Sequence, residues 1–420
     1  MKNDFKEKVL VCCGAGPEPF SGSEPGKGFS WTMALSRMFE VHVVCTRFAM
    51  ERCEASGLCD HWIFHPHDVP LPKTGGWRFY VSHYFPYCRA VIPLCRDLIE
   101  QHGFRRVFQP TMGTFRMIPQ FEKLGIDYYL GPLGGGEFIP RHLLVDAEMP
   151  AGQMLMERAR PWLNRACVRN PFVQRTLSRA TAVLATTEET RALLMGAGVR
   201  RCQLAFPDVV DPAGFPNDAL ETRSRQCAEM AVTFRLIFSA RGRWWKGGQL
   251  AIRFVAYCRA CGTDVRLTVV ADGPVAEAWK RHANQLQLAD AVGFFPLMPR
   301  SELFEQFLQS HAFIYPTMHD SSSSALPEAY GCALPSLTLG LGGIKAAASD
   351  DAGVNSEPCS IEQWMEQCHD QLTRWQQNPQ EWLAASGAAL THSQTFRMAR
   401  IEASLRGLMD LGPDSSAMGA

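Results

Sequence analysis

The chain has 420 residues, and its 42 lysines and arginines are matched by 42 aspartates and glutamates. A chain this long, 46% hydrophobic, can bury two cores. Zero net charge offers no overall field for nucleic acid, and no apolar run approaches the roughly 18 residues of a membrane helix. The 15 cysteines are scattered rather than regularly spaced, which suits a reducing compartment. The apolar run Val9 to Cys13 is too short for a signal-peptide core. These features predict a cytoplasmic protein, with peripheral contact on the inner face of a membrane.

Short apolar runs at 9–13, 41–46, 106–110, 127–133 and 181–187 read as β-strands separated by helix-like segments. After the first run come Gly14 and Gly16, as in a dinucleotide-binding turn. Pro17, Pro19 and Pro25 keep a helix from starting where a pyrophosphate would need it, which argues against a nicotinamide oxidoreductase. Gly134, Gly135 and Gly136 follow the fourth run, where backbone can pass close to a ligand or simply leave a strand. Thr186 to Thr190 reads as a strand-to-helix step with a capping residue. Between Glu157 and Arg179 lie Arg158, Arg160, Arg165, Arg169, Arg175 and Arg179, interleaved with Trp162, Leu163, Phe172 and Val173. They read as solvated helix faces or as a surface for an anionic membrane, in short pieces broken by Pro161 and Pro171. Cys53, Cys59, His61, His65 and His67 fit no established metal spacing and read as an irregular loop.

Residues 206–233 read as a linker with Pro207, Pro212, Gly214 and Pro216, followed by a polar helix. A second strand series follows at 236–240, 266–272, 292–297, 312–317 and 335–339. The helix after its first strand keeps Leu250, Phe254, Tyr257, Cys258 and Cys261 on one apolar face. The predicted fold is α/β: two Rossmann-like halves, 1–205 and 234–395, facing each other across a cleft. A helix at 396–411 packs back on the first half, and a disordered tail occupies 412–420. Ligands of such sheets bind beyond the carboxyl ends of the strands.

Three segments of the second half carry chemistry. Arg241-Gly-Arg-Trp-Trp-Lys246-Gly-Gly joins a strand end to a helix start, a good anion site, though an ordinary basic turn reads the same way. Asp272-Gly273-Pro274 makes a tight turn at a strand end. His319-Asp320-Ser321-Ser322-Ser323-Ser324 leads to Pro327 and Glu328, bracketing a helix start with two carboxylates that can accept from vicinal diols.

Together with VGFFPLMPRSELFE, these segments closely resemble the donor domain of family 4 glycosyltransferases, retaining enzymes of GT-B architecture. The resemblance covers nearly the whole chain. It implies that Glu328 holds the donor ribose, Asp320 the transferred sugar's hydroxyls, and Arg241 and Lys246 the diphosphate. Ser321 to Ser324, Asp272 and Gly273 complete the donor side. Gly22 and Ser23, in GSEPGKGFSW, resemble the family's glycine loop near the donor phosphates. Glu24, Gly134, Gly135, Gly136 and Glu137 fall on the acceptor side. The implied activity is hexosyl transfer from an NDP-sugar to a polysaccharide, lipopolysaccharide or lipid-linked acceptor, with no cofactor, metal or nucleic acid. Two departures stand out: Asp320 replaces the family's leading Glu, and Phe108 and Gln109 replace its paired His. They motivate an alternative, a catalytically weak binding partner in envelope polysaccharide assembly.

Overall fold

The computed structural model describes residues 7–19, 23–69, 84–206, 208–209, 214–227 and 233–410. Gly22, the Ser23 side chain, Pro207, Pro212 and the tail after 411 lie outside the described residues. Thirteen strands are found among the described residues, in two wholly parallel sheets. The chain divides into two compact units: residues 1–136, 162–209 and 398–420, and residues 137–161 and 210–397.

In the first unit the strand order is β3-β2-β1-β4-β5-β6-β7. The strands are β1 (Lys8–Cys13), β2 (Glu40–Thr46), β3 (Ile63–His67), β4 (Arg106–Thr111), β5 (Asp127–Leu133), β6 (Ala182–Ala185) and β7 (Cys202–Leu204). A parallel strand covered on both faces is apolar throughout rather than alternating, and β1 shows why. Val9, Val11 and Cys13 pack under Trp31 and Leu35 of α1 (Ser23–Ser36). Leu10 and Cys12 face the other way, against Tyr87, Val91 and Cys95. Those three belong to α3 (Phe85–His102), which follows α2 (Arg47–Ser56) in the chain. The first face also receives Ile401 and Leu405, which belong to the chain's last described helix, Met398–Leu408.

Three further helices follow: α4 (Ala151–Val168), α5 (Pro171–Arg179) and α6 (Glu188–Gly196). Pro161 does not break α4 as expected. The helix runs through it, and the division between the units falls there.

The second unit has strand order β10-β9-β8-β11-β12-β13. Its strands are β8 (Phe234–Ser239), β9 (Val265–Val270), β10 (Val292–Phe295), β11 (Ala312–Tyr315), β12 (Ser336–Leu339) and β13 (Gly353–Ser356). Between them run α7 (Ala219–Gln226), α8 (Gly248–Ala260), α9 (Gly273–Gln285), α10 (Arg300–Gln309), α11 (Ala325–Gly331) and α12 (Gly342–Ala347). Then come α13 (Ile361–Gln377), α14 (Pro379–Ser393) and α15 (Met398–Leu408), the last of these belonging to the first unit. Leu250, Phe254 and Cys258 of α8 are buried as expected, whereas Cys261 caps the helix and is exposed.

Two boundaries differ from the sequence reading. Residues 137–161, expected in the first half, belong to the second unit, where Gln249 Nε2 donates to Ala147 O at 2.8 Å. The polar helix α7 is no solvated connector. Its Arg223 is fully buried and donates to the carbonyl oxygens of Phe307, Leu308, Ser310, Cys332 and Ala333. Among the described residues no helix is long and apolar enough to cross a membrane.

Candidate active site

In the second sheet, β8 lies between β9 and β11, so strand order reverses where β8 meets β11. Loops leaving the carboxyl ends of two such strands turn to opposite faces and open a crevice between them. The loop after β8 carries Arg241 to Lys246, and the loop after β11 carries His319 to Ser324.

Glycine brings these loops into contact. Gly247 has φ 80°, and a Cβ on it would collide with the Pro316 carbonyl oxygen. A Cβ on Gly248 would meet the Trp279 ring at 2.6 Å. The Gly-Gly pair therefore lets the turn Trp244–Lys246 press against the end of β11. There Lys246 Nζ donates to the Tyr315 hydroxyl at 2.8 Å and to Asp320 Oδ2. The Tyr315 hydroxyl donates to the same carboxylate oxygen at 3.0 Å. Burial opposes charge on Lys246, but the Asp320 carboxylate and the Tyr315 hydroxyl outweigh it and raise its pKa above the ordinary lysine value. Burial, reinforced by Asp320, pushes the Tyr315 phenol up to about 12. The lysine is thus a fixed cation and the tyrosine a fixed donor. Arg241 stands exposed at the exit of β8.

Glu328, in the short helix α11, pairs with Arg300 at the start of α10, Nε to Oε1 at 3.0 Å. Arg300 sits in the segment VGFFPLMPRSELFE, but its role is visible only in space. Ser322 and Ser323 are buried, while Ser321 and Ser324 are partly exposed. Gly342 and Gly343 hold this loop: Gly343 N donates to Asp320 O at 2.8 Å, and a Cβ on Gly342 (φ 53°) would stand 2.6 Å from that oxygen. The same Cβ position is 3.5 Å from Cγ of Glu137. Glu137 therefore belongs beside the Asp320 loop in the second unit rather than with the acceptor-side glycines. Asp272 and Gly273 are exposed at the end of β9, with Gly273 at φ 80° facing open space.

Sequence reasoning missed the support behind Asp320. His319 stacks on Trp245 with ring centroids 5.0 Å apart, and its Nε2 lies 3.3 Å from Glu157 Oε2. Glu157, fully buried on α4, accepts from Arg160 Nε at 2.6 Å and from Gln153 Nε2 at 2.7 Å. Burial raises its carboxyl pKa, but His319 and Arg160 override that and hold it down at about 2. From sequence, Arg160 reads only as part of a solvated or membrane-facing stretch.

The first unit has its own reversal point, between β1 and β4. Glu24, in the first turn of α1, spans it by accepting from Gly113 N at 2.7 Å. Two of the three glycines are closely packed. A Cβ on Gly135 would strike the Arg116 guanidinium at 2.5 Å, and one on Gly136 would strike the Thr190 backbone at 2.5 Å. Gly134 N donates to Gly113 O at 2.8 Å. Thr187 caps α6, accepting from Thr190 N at 3.1 Å. Gln109 is buried with its Oε1 unpartnered. Cys53, Cys59, His61, His65 and His67 do not converge. His65 instead joins His42 and His102.

Comparison with known proteins bears on the family and the fold. Residues 231–382 match the family model described as glycosyl transferases group 1. One component of the Arabidopsis thaliana phosphatidylinositol N-acetylglucosaminyltransferase is 24% identical over 182 residues. That match spans 43% of this chain and 39% of the relative's length. Among solved structures, Anabaena HepE in complex with UDP and glucose superposes with TM-score 0.62 at 13% identity, covering 96% of this chain and 99% of that one. Sucrose-phosphate synthase from Thermosynechococcus elongatus gives TM-score 0.65 at 12% identity, covering 96% and 98%. WaaG, a glycosyltransferase involved in lipopolysaccharide biosynthesis, gives 0.59 at 16%, covering 96% and 100%. The chain thus carries a glycosyl transferases group 1 domain at 231–382 and has the two-domain GT-B fold of glycosyltransferases.

Proposed function

We propose that the protein is a retaining glycosyltransferase that moves a hexosyl group from an NDP-sugar to a polysaccharide, lipopolysaccharide or lipid-linked acceptor. The observation that carries this reading is the Lys246 ammonium, held between Tyr315 and Asp320 where β8 and β11 diverge. A departing diphosphate gains negative charge as the sugar leaves, and fixed cations at Lys246 and Arg241 stabilise that charge without reorganising. As Lys246 turns part of its bonding to phosphate, Asp320 regains lone pairs for the sugar's hydroxyls. Glu328, steadied by Arg300, offers acceptors to the ribose diol. The leaving phosphate takes the acceptor hydroxyl's proton on the same face of the sugar. The donor is expected to bind without a divalent ion.

HepE was solved with UDP and glucose, and the Arabidopsis relative is named for N-acetylglucosaminyl transfer, so UDP-hexoses are the first donors to test. Calorimetry with UDP and GDP, followed by a product assay over a nucleotide-sugar panel, tests the reading. Absence of nucleotide binding removes it. Binding without turnover on any acceptor favours the alternative, a binding partner in polysaccharide assembly, which the standing neutralisation of Asp320 by Lys246 motivates.

Helix α4 supports contact with a membrane-held acceptor. Leu155, Arg158, Trp162, Arg165 and Arg169 follow helical spacing in and just after it, and all are exposed. Phe172 of α5 adds a further exposed aromatic, 68% accessible. An apolar and basic stripe of this kind suits an anionic interface, each basic residue contributing about 1 kcal/mol. Sedimentation with anionic vesicles should retain the protein and release an Arg165→Glu/Arg169→Glu variant.

A further inference from the structure

At the opposite end of the first sheet from Glu24, three imidazoles meet. His42 lies on β2, His65 on the neighbouring β3, and His102 in the last turn of α3. Each offers one ring nitrogen, and the three nitrogens lie within 4.8 Å of one another. His42 Nδ1 is 2.9 Å from His65 Nε2, with the rings stacked at an 8° tilt. The other nitrogen of His42, Nε2, lies 3.1 Å from Glu40 Oε1. A carboxylate on the far side of an imidazole fixes its tautomer. With the proton on Nε2, Nδ1 keeps its lone pair on the side of His65.

We propose that His42, His65 and His102 form a binding site for a first-row divalent cation of the zinc class, with a solvent molecule completing a tetrahedron. Three imidazoles suit zinc, and nitrogen–zinc bonds of about 2.0–2.1 Å need the donors about 3.3 Å apart. Reaching that spacing requires the His42–His65 pair to open slightly and His102 to close in. His102 ends α3 beside Gly103, whose φ is 70°, with its ring already against those of His42 and His65. The carbonyl end of an 18-residue helix also favours a cation. A bound ion would tie the edge strand β3 and the end of α3 to β2. The site belongs to the first unit and shares no residue with the donor-side set, so the proposal stands independently of the transferase reading.

The test is a titration of chelator-treated full-length protein with Co2+, followed by visible absorption, and with Zn2+ against a chromophoric chelator. The expected result is one ion per chain, with ligand-field bands and no thiolate charge-transfer band. His102→Ala, a surface change that leaves the buried histidine alone, should abolish binding. Glu40→Gln should weaken it about 10- to 100-fold. His61→Ala, outside the cluster, should leave it unchanged. No binding at micromolar ion, equal affinity in His102→Ala, or a thiolate band placing the ion on cysteine would each overturn the site.

Discussion

Lys246 and Asp320 come from loops after different strands, β8 and β11, and share one ion pair with the Tyr315 hydroxyl bonded to both. The pair stores a cation where a diphosphate would leave and a carboxylate where sugar hydroxyls would sit.

Lys246→Ala removes the part-buried positive charge of that pair. Transfer is expected to fall about 100-fold or more, the usual loss for one donor aimed at developing negative charge. Steady-state kinetics on protein with an unchanged circular dichroism spectrum checks this, and a near-normal kcat would dismiss the diphosphate assignment.

Asp320→Asn acts differently. It frees Lys246 from its internal partner, so UDP should bind more tightly, by on the order of tenfold, or ~1.4 kcal/mol. Turnover should nonetheless drop, because the amide is a poorer acceptor for sugar hydroxyls than the carboxylate. Calorimetry and kinetics together read out the two opposed effects; weaker UDP binding would contradict the competition.

Glu157 gives a pH signature. Its carboxyl is held at about 2 against an ordinary 4.5, so the ionised form stabilises the fold. Linkage makes this about 3 kcal/mol, fully present above pH 4.5 and lost as pH falls through about 2. Glu157→Gln should therefore destabilise at neutral pH, and the gap from wild type should close on acidification. Denaturant titrations at several pH values measure that gap, and a constant difference would refute the ion-pair account.

Arg223→Met leaves five buried carbonyl oxygens without their shared donor. A loss of about 3–5 kcal/mol is expected, as for breaking a buried charge network. Thermal unfolding measures it. UDP affinity well below the transition should change little, since Arg223 bonds only main-chain oxygens and Gln226 and not Lys246, Asp320 or Glu328.

The central strands were legible because a strand covered on both faces must be apolar at every position, as Val9 to Cys13 is. The strands that went unread, β3, β7 and β13, all lie at sheet edges. Each carries partly exposed residues and so lacks the continuous apolar signal. Lys246, Asp320 and Glu328 were legible from residue type and spacing. Their partners Tyr315 and Arg300 were not, nor was Glu157 beside His319, because each is an ordinary residue until the fold sets it against a charge. Gly135 and Gly136 carry a second constraint that composition does not show: Arg116 and Thr190 pack where their side chains would stand.

The sequence by itself determined the two α/β halves and the loops that hold the charged groups, because apolar periodicity and glycine-led turns are local properties. Only tertiary structure decided that Lys246 bonds Asp320, that Glu328 bonds Arg300, and that His42 meets His65 and His102. Such pairs depend on which strands lie side by side, and strand order follows from the packing of the whole sheet rather than from any local stretch of chain.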